Sequence, residues 1–462
     1  MSAAWIAGIK ELGSNKPFNR QGERMIRQTV LGFKIERTEE RLTAHGGLAL
    51  MAEFNHGIGL RELTNRYLPG PGSNRGYEAS VFVDTLVMML QAGGRRLEDL
   101  REIRRESGLM AVVGEKRIPD ADTVGDWLRR MGDPKGAAAG LMGLGEVRDR
   151  INERIIRRDR TVAYTLDVDA TQIEAEKQEA VYTYQGVKGY MPMLGFLYET
   201  PLCLFDEFRE GNQSPSAGHV AFYQECKRRI PQGKRIGQYR ADSASYQADL
   251  INVLEEDGVI WAITADQDAA VKRLIEQIGP LEWKPIAGSD EEVAETVHTM
   301  NKTKKAFRLI LKRWVKKQND LFKGPGEAYG YHGVASNWRS EEKSAAEVLS
   351  WHNQRGEAEN FNKELKSGCG MEQMPCRETH ANAVFFRIGV LAYNLFIGFK
   401  RLTCPARWVH HTLATIRWKF IQIAGRIIHH AGRFFIKLMV DQEMLESFHE
   451  IRSRCFEVTA VT

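Results

Sequence analysis

Within residues 351–366, His352, Arg355, Glu359 and Lys366 are spaced to share one face of an α-helix. At about 100° per residue they fall within roughly 60° of one another. That face would carry an imidazole, a guanidinium, a carboxylate and an ammonium, while Glu357 and Glu364 point elsewhere. Upstream, the alternating run 161–171 puts Val162, Tyr164, Leu166 and Val168 on one strand face and Asp167 and Asp169 on the other. Asp242 ends a second short strand, and Asp266 follows a third at 259–264. Carboxylates are hard oxygen ligands of the kind Mg²⁺ takes, and Arg and Lys hold phosphates. Such a set suits metal-assisted transfer at a phosphodiester. Each part also has a plainer reading. The helix face could be a solvated one held by an Arg355–Glu359 i,i+4 pair, and the aspartates could sit at a strand end running into a turn.

The elements that must position these residues follow from pattern. Strands are expected at 180–185, 189–199 and 201–208, then a helix at 217–230. A strand to Asp242, a helix at 247–256 and the strand 259–264 come next. The stretch 281–338 breaks this α/β order with strands at 292–300, 306–316 and 329–336 and a loop at Gly324–Pro–Gly326. Its Lys302, Lys304, Lys305, Arg308, Lys312, Arg313, Lys316 and Lys317 predict a basic surface, with Trp283, Trp314 and Trp338 interleaved. Basic residues with aromatics suit DNA through phosphate neutralisation and base stacking; the alternative is a solvated hairpin with tryptophans in its core. A helix across 341–366 then carries the reactive face.

The front end reads as helical. Residues 1–42 are a polar arm, 48–68 is a helix, 69–73 a loop, and 78–91 a strongly apolar helix. Helices at 97–106 and from Asp122 as N-cap to Arg130 suit a helix-turn-helix, although a plain bundle has the same pattern. The Gly/Ala-rich stretch 132–145 reads as a hinge. Between Glu378 and Asp441 there is no Asp or Glu, but Arg387, Lys400, Arg401, Arg407, Arg417, Lys419, Arg426, Arg433 and Lys437 are present. This asymmetry predicts a helical surface facing a polyanion, with a membrane-surface helix as the rival. Trp408, Trp418, Phe420, Phe434 and Phe435 are read as helix core.

Composition narrows the classes. The 462-residue chain has a formal net charge of only +5, so charge placement matters more than its total. Six cysteines without a C-x-x-C pair speak against zinc fingers and a disulfide framework and fit a reducing cytosol. The short apolar run before Lys10 is no convincing signal peptide. The apolar run 381–399 contains Arg387 and Asn394, which favours a buried helix over a membrane span. The expected location is cytoplasmic, with the protein on the nucleoid when DNA-bound.

The spacing Arg355-x3-Glu359-x6-Lys366, with an aromatic residue three before the Arg, resembles the Y-x2-R-x3-E-x6-K signature of the Asp-Asp-Glu (DDE) insertion-sequence transposases. It is similar to the branch with a β-rich insertion before the Glu. His352 stands where that signature has Tyr. Asp169-Ala-Thr resembles the family's first-acid motif, Arg240-Ala-Asp-Ser its second-acid block, and Gly189-Tyr-Met-Pro192 its second strand. The likeness runs from about residue 161 to 402. It implies an α/β fold: an RNase H-like core interrupted by a β-rich insertion, with helical DNA-binding regions at both ends. The expected domains are a helical DNA-binding region at 1–155 and core at 156–270. The insertion at 271–340, core again at 341–402, and a basic helical region at 403–462 complete the chain.

The resemblance favours Asp169 over Asp167, and Asp242 over Asp266. Asp169, Asp242 and Glu359 would be the catalytic acids and ligands of two Mg²⁺ ions, with Mn²⁺ as a substitute. DNA contacts are expected from His352, Arg355, Lys366, Lys312, Arg313, Trp314, Arg417, Lys419 and Arg426. The implied activity is cut-and-paste transposition by a homodimer on paired terminal inverted repeats, acting on target DNA and not at a membrane. A structure-selective nuclease and a catalytically silent DNA-binding regulator are the rival functions.

Overall fold

The computed structural model describes Leu31 and residues 33–115, 117–316 and 329–459. The expected arm over residues 1–30, the Gly324–Gly326 loop and Lys317 lie outside them. The chain divides into two units, Met1–Arg41 and Leu42–Thr462. In the first, residues 33–39 form neither helix nor strand.

The second unit opens with a short strand, β1 (Leu42–Thr43), and seven helices. The expected helix at 48–68 is two: α1 (Leu48–Gly57) and α2 (Leu60–Tyr67). Gly59 separates them at φ +82°, a left-handed conformation that a side chain resists. The nearly wholly buried α3 (Ala79–Ala92) ends at Gly93, also left-handed. After α4 (Leu100–Arg105) and α5 (Ser107–Val112), α6 (Ala121–Gly132) is capped by Asp120, not Asp122, and its carboxylate accepts from Thr123 N at 2.8 Å. The expected hinge at 132–145 instead runs into α7 (Ala139–Arg158). Its glycines serve close packing: a Cβ at Gly143 would strike the Tyr67 carbonyl, and one at Gly140 the Met131 side chain.

A nine-stranded sheet is the centre of the molecule, in the order β10-β11-β12-β13-β9-β8-β2-β6-β7. Its strands are β2 (Ala163–Ala170), β6 (Met193–Leu197), β7 (Leu202–Glu207), β8 (Arg235–Ala241), β9 (Ile260–Thr264), β10 (Lys284–Pro285), β11 (Glu291–His298), β12 (Phe307–Val315) and β13 (Tyr329–Ser336). β8 runs parallel to both β2 and β9. Three small strands, β3 (Ile173–Glu174), β4 (Val181–Tyr182) and β5 (Lys188–Tyr190), form a side sheet. The helices α8 (His219–Arg229), α9 (Ala248–Glu256) and α10 (Ala269–Gln277) connect this half. The stretch read as an insertion joins the main sheet: β13 pairs antiparallel with β9, Val334 opposite Thr264. This covers the edge that β9 would otherwise present to solvent.

The second half supplies α11 (Ala345–Asn353), α12 (Gly356–Lys363) and α13 (Thr379–Leu402). α13 is long and apolar enough to span a membrane, but it is almost entirely buried, packed against α3, α6 and α7. Arg148 of α7 and Arg387 of α13 both hold the fully buried Asp206 of β7, so one acid ties three elements. The tail corrects an expectation of helices alone. After α14 (Ala406–Val409) and α15 (Leu413–Ile416), β14 (Gly425–His430) and β15 (Arg433–Leu438) form a hairpin with β1, before α16 (Gln442–Thr459). The cause is local. Branched and aromatic residues fill both strands, and Ala431-Gly432 turns between them with both φ values positive, as a two-residue hairpin loop needs. Trp408 and Phe420 are buried as expected, whereas Trp418, Phe434 and Phe435 are exposed.

Candidate active site

The parallel register of β2 and β8 sets Asp167 beside Arg240 and Val168 beside Ala241. Asp169 and Asp242 therefore follow at neighbouring strand ends, where an α/β site opens. The two aspartates of β2 have different fates. Asp167 is fully buried and takes Arg240 as a bidentate partner, Nε to Oδ1 at 2.8 Å and Nη2 to Oδ2 at 2.9 Å. Asp169, nearer the strand end, is only partly covered; its Oδ2 accepts from Asn362 Nδ2 at 2.6 Å. Asp242 caps a short turn, its Oδ1 accepting from Ala244 N at 3.1 Å. Asp266 is exposed beyond β9.

Glu359, expected as the third acid, lies on α12, which follows α11. Ser344 starts α11 with a capping box, its Oγ accepting from Glu347 N while the Glu347 side chain reaches back. The expected unbroken helix is interrupted at Gln354–Arg355, and α12 begins at Gly356. Arg355 stands at that break. Its guanidinium lies 3.8 Å from Asp169 Oδ1 and 3.4 Å from Glu359 Oε1, so one cation bridges two carboxylates. The Glu359 side chain is 64% exposed. Lys366, in the π-turn after α12, donates to Gln172 O at 2.9 Å and ties this helix to the chain beyond β2.

His352 shares the helix but not the role expected of it. It is buried against β8 and β9, with Nε2 3.2 Å from Ala241 O and 3.4 Å from Thr264 Oγ1. Burial pushes its pKa down to about 4, so the ring is neutral and supports the site from beneath. It is not placed to touch DNA, because the end of α11 lies directly on the sheet.

Burial, then the nearby Asp242 and Glu359 carboxylates, push the Asp169 carboxyl up to about 7 against the pull of Arg355 and Asn362. Crowded hard-oxygen donors that repel one another, with a guanidinium drawn among them, fit a site built for divalent cations. Among the described residues no three ligand-type groups converge tightly enough to hold an ion as arranged. Glu359 is turned toward solvent and Arg355.

The family described as Transposase DDE domain group 1 matches residues 31–457. The chain belongs to this family of DDE transposases. No curated protein matches it. Among solved structures, it is similar to a piggyBac transposase synaptic complex with hairpin DNA, at 11% identity and a TM-score of 0.44, covering 77% of this chain and 74% of that one.

The other residues that this transposase was expected to turn toward DNA are scattered. Lys312 lies 2.8 Å from Glu291 and Arg313 2.6 Å from Glu292, so β11 carboxylates balance much of the expected basic surface. Arg313 is also packed over the Trp283 and Tyr329 rings, and Trp314 is partly exposed beneath Lys312. Arg417 departs from expectation. Its guanidinium donates to the Leu90, Gln91 and Gly368 carbonyls, at 3.1, 2.9 and 2.8 Å, and so caps the C-terminal end of α3. Lys419 and Arg426 are exposed. Sequence reasoning missed Asn362, although its place three residues after Glu359 puts it on the same helix face. It named Arg240 only as part of a motif and gave it no task.

Proposed function

We propose that this protein catalyses cut-and-paste transposition of an insertion sequence, cleaving DNA at terminal inverted repeats and joining the freed 3′-OH to target DNA. The observation that carries this reading is the placement of Asp169 and Asp242 at adjacent ends of β2 and β8, with Glu359 linked to Asp169 through Arg355. On this reading β2, β6, β7, β8 and β9 with their helices are an RNase H-like core, and β10–β13 are the insertion ahead of the last acid. Asp169, Asp242 and Glu359 would hold a pair of Mg²⁺ ions, or Mn²⁺ in their place. When bound, the cations neutralise phosphate charge and favour the ionised form of the attacking hydroxyl.

The chain's own groups do the rest. Asn362 fixes the Asp169 carboxylate so that its remaining oxygen faces the site. Arg355, once Glu359 turns inward, is free to hold a DNA phosphate bidentately. Neutral His352 ties the end of α11 to β8 beneath the site. Farther out, the hairpin supports a second contact with DNA. Arg433, Phe435 and Lys437 are exposed on β15, and no carboxylate lies on either strand. Beyond the two residues of β14 that β1 covers, the hairpin projects as a two-stranded ribbon, an element that the major groove admits.

Incubating the protein with labelled inverted-repeat DNA and Mg²⁺ tests the proposal. Strand transfer into a target is the expected outcome. Cleavage alone would indicate a nuclease, and binding alone a silent regulator; either would overturn the transposition reading.

A further inference from the structure

Arg240 is fully buried and links β8 to β2 and to the end of α11, just ahead of the helix that carries Glu359. It belongs to β8, two residues before Asp242. It grips Asp167 on β2, two residues before Asp169, with both nitrogens of its fork. Its remaining nitrogen donates to Trp351 O at 2.8 Å, with Gln354 Oε1 at 3.3 Å, at the break between α11 and α12. Its guanidinium carbon lies 4.4 Å from the Tyr198 ring centroid and 5.3 Å from that of Trp351. Four residues after Trp351 comes Arg355, and four after that Glu359.

We infer that Arg240 is a positioning residue: with Asp167 it pins β2, β8 and the α11–α12 break in the one register that lets Asp169, Asp242 and Glu359 serve a common cation site. It touches none of the reacting atoms. Its planar fork meets a carboxylate and a carbonyl at once while lying over aromatic rings, which lysine's single ammonium cannot do. A charge buried only for stability could be replaced by any partner that balances it, but a pin requires this shape. The inference rests on the metal-site reading above.

The molecule supplies its own control. Arg148 is likewise fully buried and holds Asp206 and Asp149, but its ion pairs tie α7 to β7 and not to β2, β8 or α12. The test compares full-length wild type, Arg240→Lys, Arg148→Lys and Asp169→Asn by Mn²⁺ electron paramagnetic resonance titration without DNA, with thermal melts alongside. Arg240→Lys should weaken Mn²⁺ binding about tenfold or more, while Arg148→Lys melts earlier but binds Mn²⁺ as wild type does. Wild-type affinity in Arg240→Lys, or equal loss in both lysine variants, overturns the pin. Should Arg240→Lys not fold, Asp167→Asn takes its place, since it removes the fork's partner and leaves the carbonyl contact. A wild type whose Mn²⁺ binding does not depend on Asp169 would instead overturn the metal-site reading, and the pin with it.

Discussion

Asp169 is the residue whose charge the fold resists most visibly, and its pH dependence follows from that. Its folded pKa is raised from 3.8 to about 7, so folding favours the protonated acid. That contribution to stability is fully present below about pH 4 and is lost as pH rises through about 7. The metal-free protein should therefore lose stability over this window, and Asp169→Asn should not. Melting curves in EDTA should show Asp169→Asn more stable than wild type at pH 8, with the gap closing toward pH 4. An equal gap at both pH values would mean that its burial is not felt electrostatically. Glu359 offers a sharper functional test, because Glu357 lies two positions away, about 200° around the helix. Glu359→Gln is expected to stop strand cleavage with an unchanged circular dichroism spectrum, whereas Glu357→Gln should retain activity within about fivefold, as an exposed charge is worth at most about 1 kcal/mol. Reversal of the two results would remove Glu359 from the site.

At the scale of the element, two basic residues of the tail with the same formal charge have opposite tasks. Arg417 spends its guanidinium on the carbonyls that end α3, so Arg417→Ala should cost about 2 kcal/mol of stability. DNA binding by its folded fraction should keep the wild-type salt dependence. Lys419 faces solvent in a second π-turn, Arg417–Ile421, which follows α15, and Arg433 and Lys437 do so on the hairpin. Neutralising these three together should flatten the plot of log affinity against log salt by about 0.9 per lost phosphate contact. A slope that stays fixed would assign them to solvation alone. The insertion should contribute less than its lysine and arginine content suggests, because β11 and α9 carboxylates already pair with Lys304, Lys305, Arg308, Lys312 and Arg313.

For the molecule as a whole, the proposed reaction requires two ends to be cut in concert. Mixed with short inverted-repeat duplexes, the protein should elute on size exclusion with light scattering as two 52.5 kDa chains on two duplexes. A complex of one chain with one duplex, still competent for strand transfer, would show that pairing is not needed. The same scale explains the fate of α13. Its apolar length is matched by α3, α6 and α7 around it, and this burial, not a bilayer, accounts for its composition. The helical front end thus packs on the helix that follows the last acid.

The sequence by itself determined the strands and helices from 161 to 353 and where Asp169, Asp242 and Glu359 fall, but not the hairpin of the tail. Alternation at 161–171, the strand end at Asp242 and the spacing to Glu359 are local patterns, and local backbone geometry reads them directly. The β11–β13 strands were legible for the same reason, and so was the buried character of α13. What the tertiary structure decided is who partners whom. Asp167 and Asp169 have the same strand environment in sequence; only Arg240, 73 residues on, separates a pinned carboxylate from an available one. His352 and Arg417 look like surface cations until the sheet closes over one and the end of α3 claims the other. The stretch expected as an insertion joined the main sheet because β9 had an open edge, and no local pattern records an edge. Charges and edges are satisfied across distance in the chain, and that pairing exists only once the chain has folded.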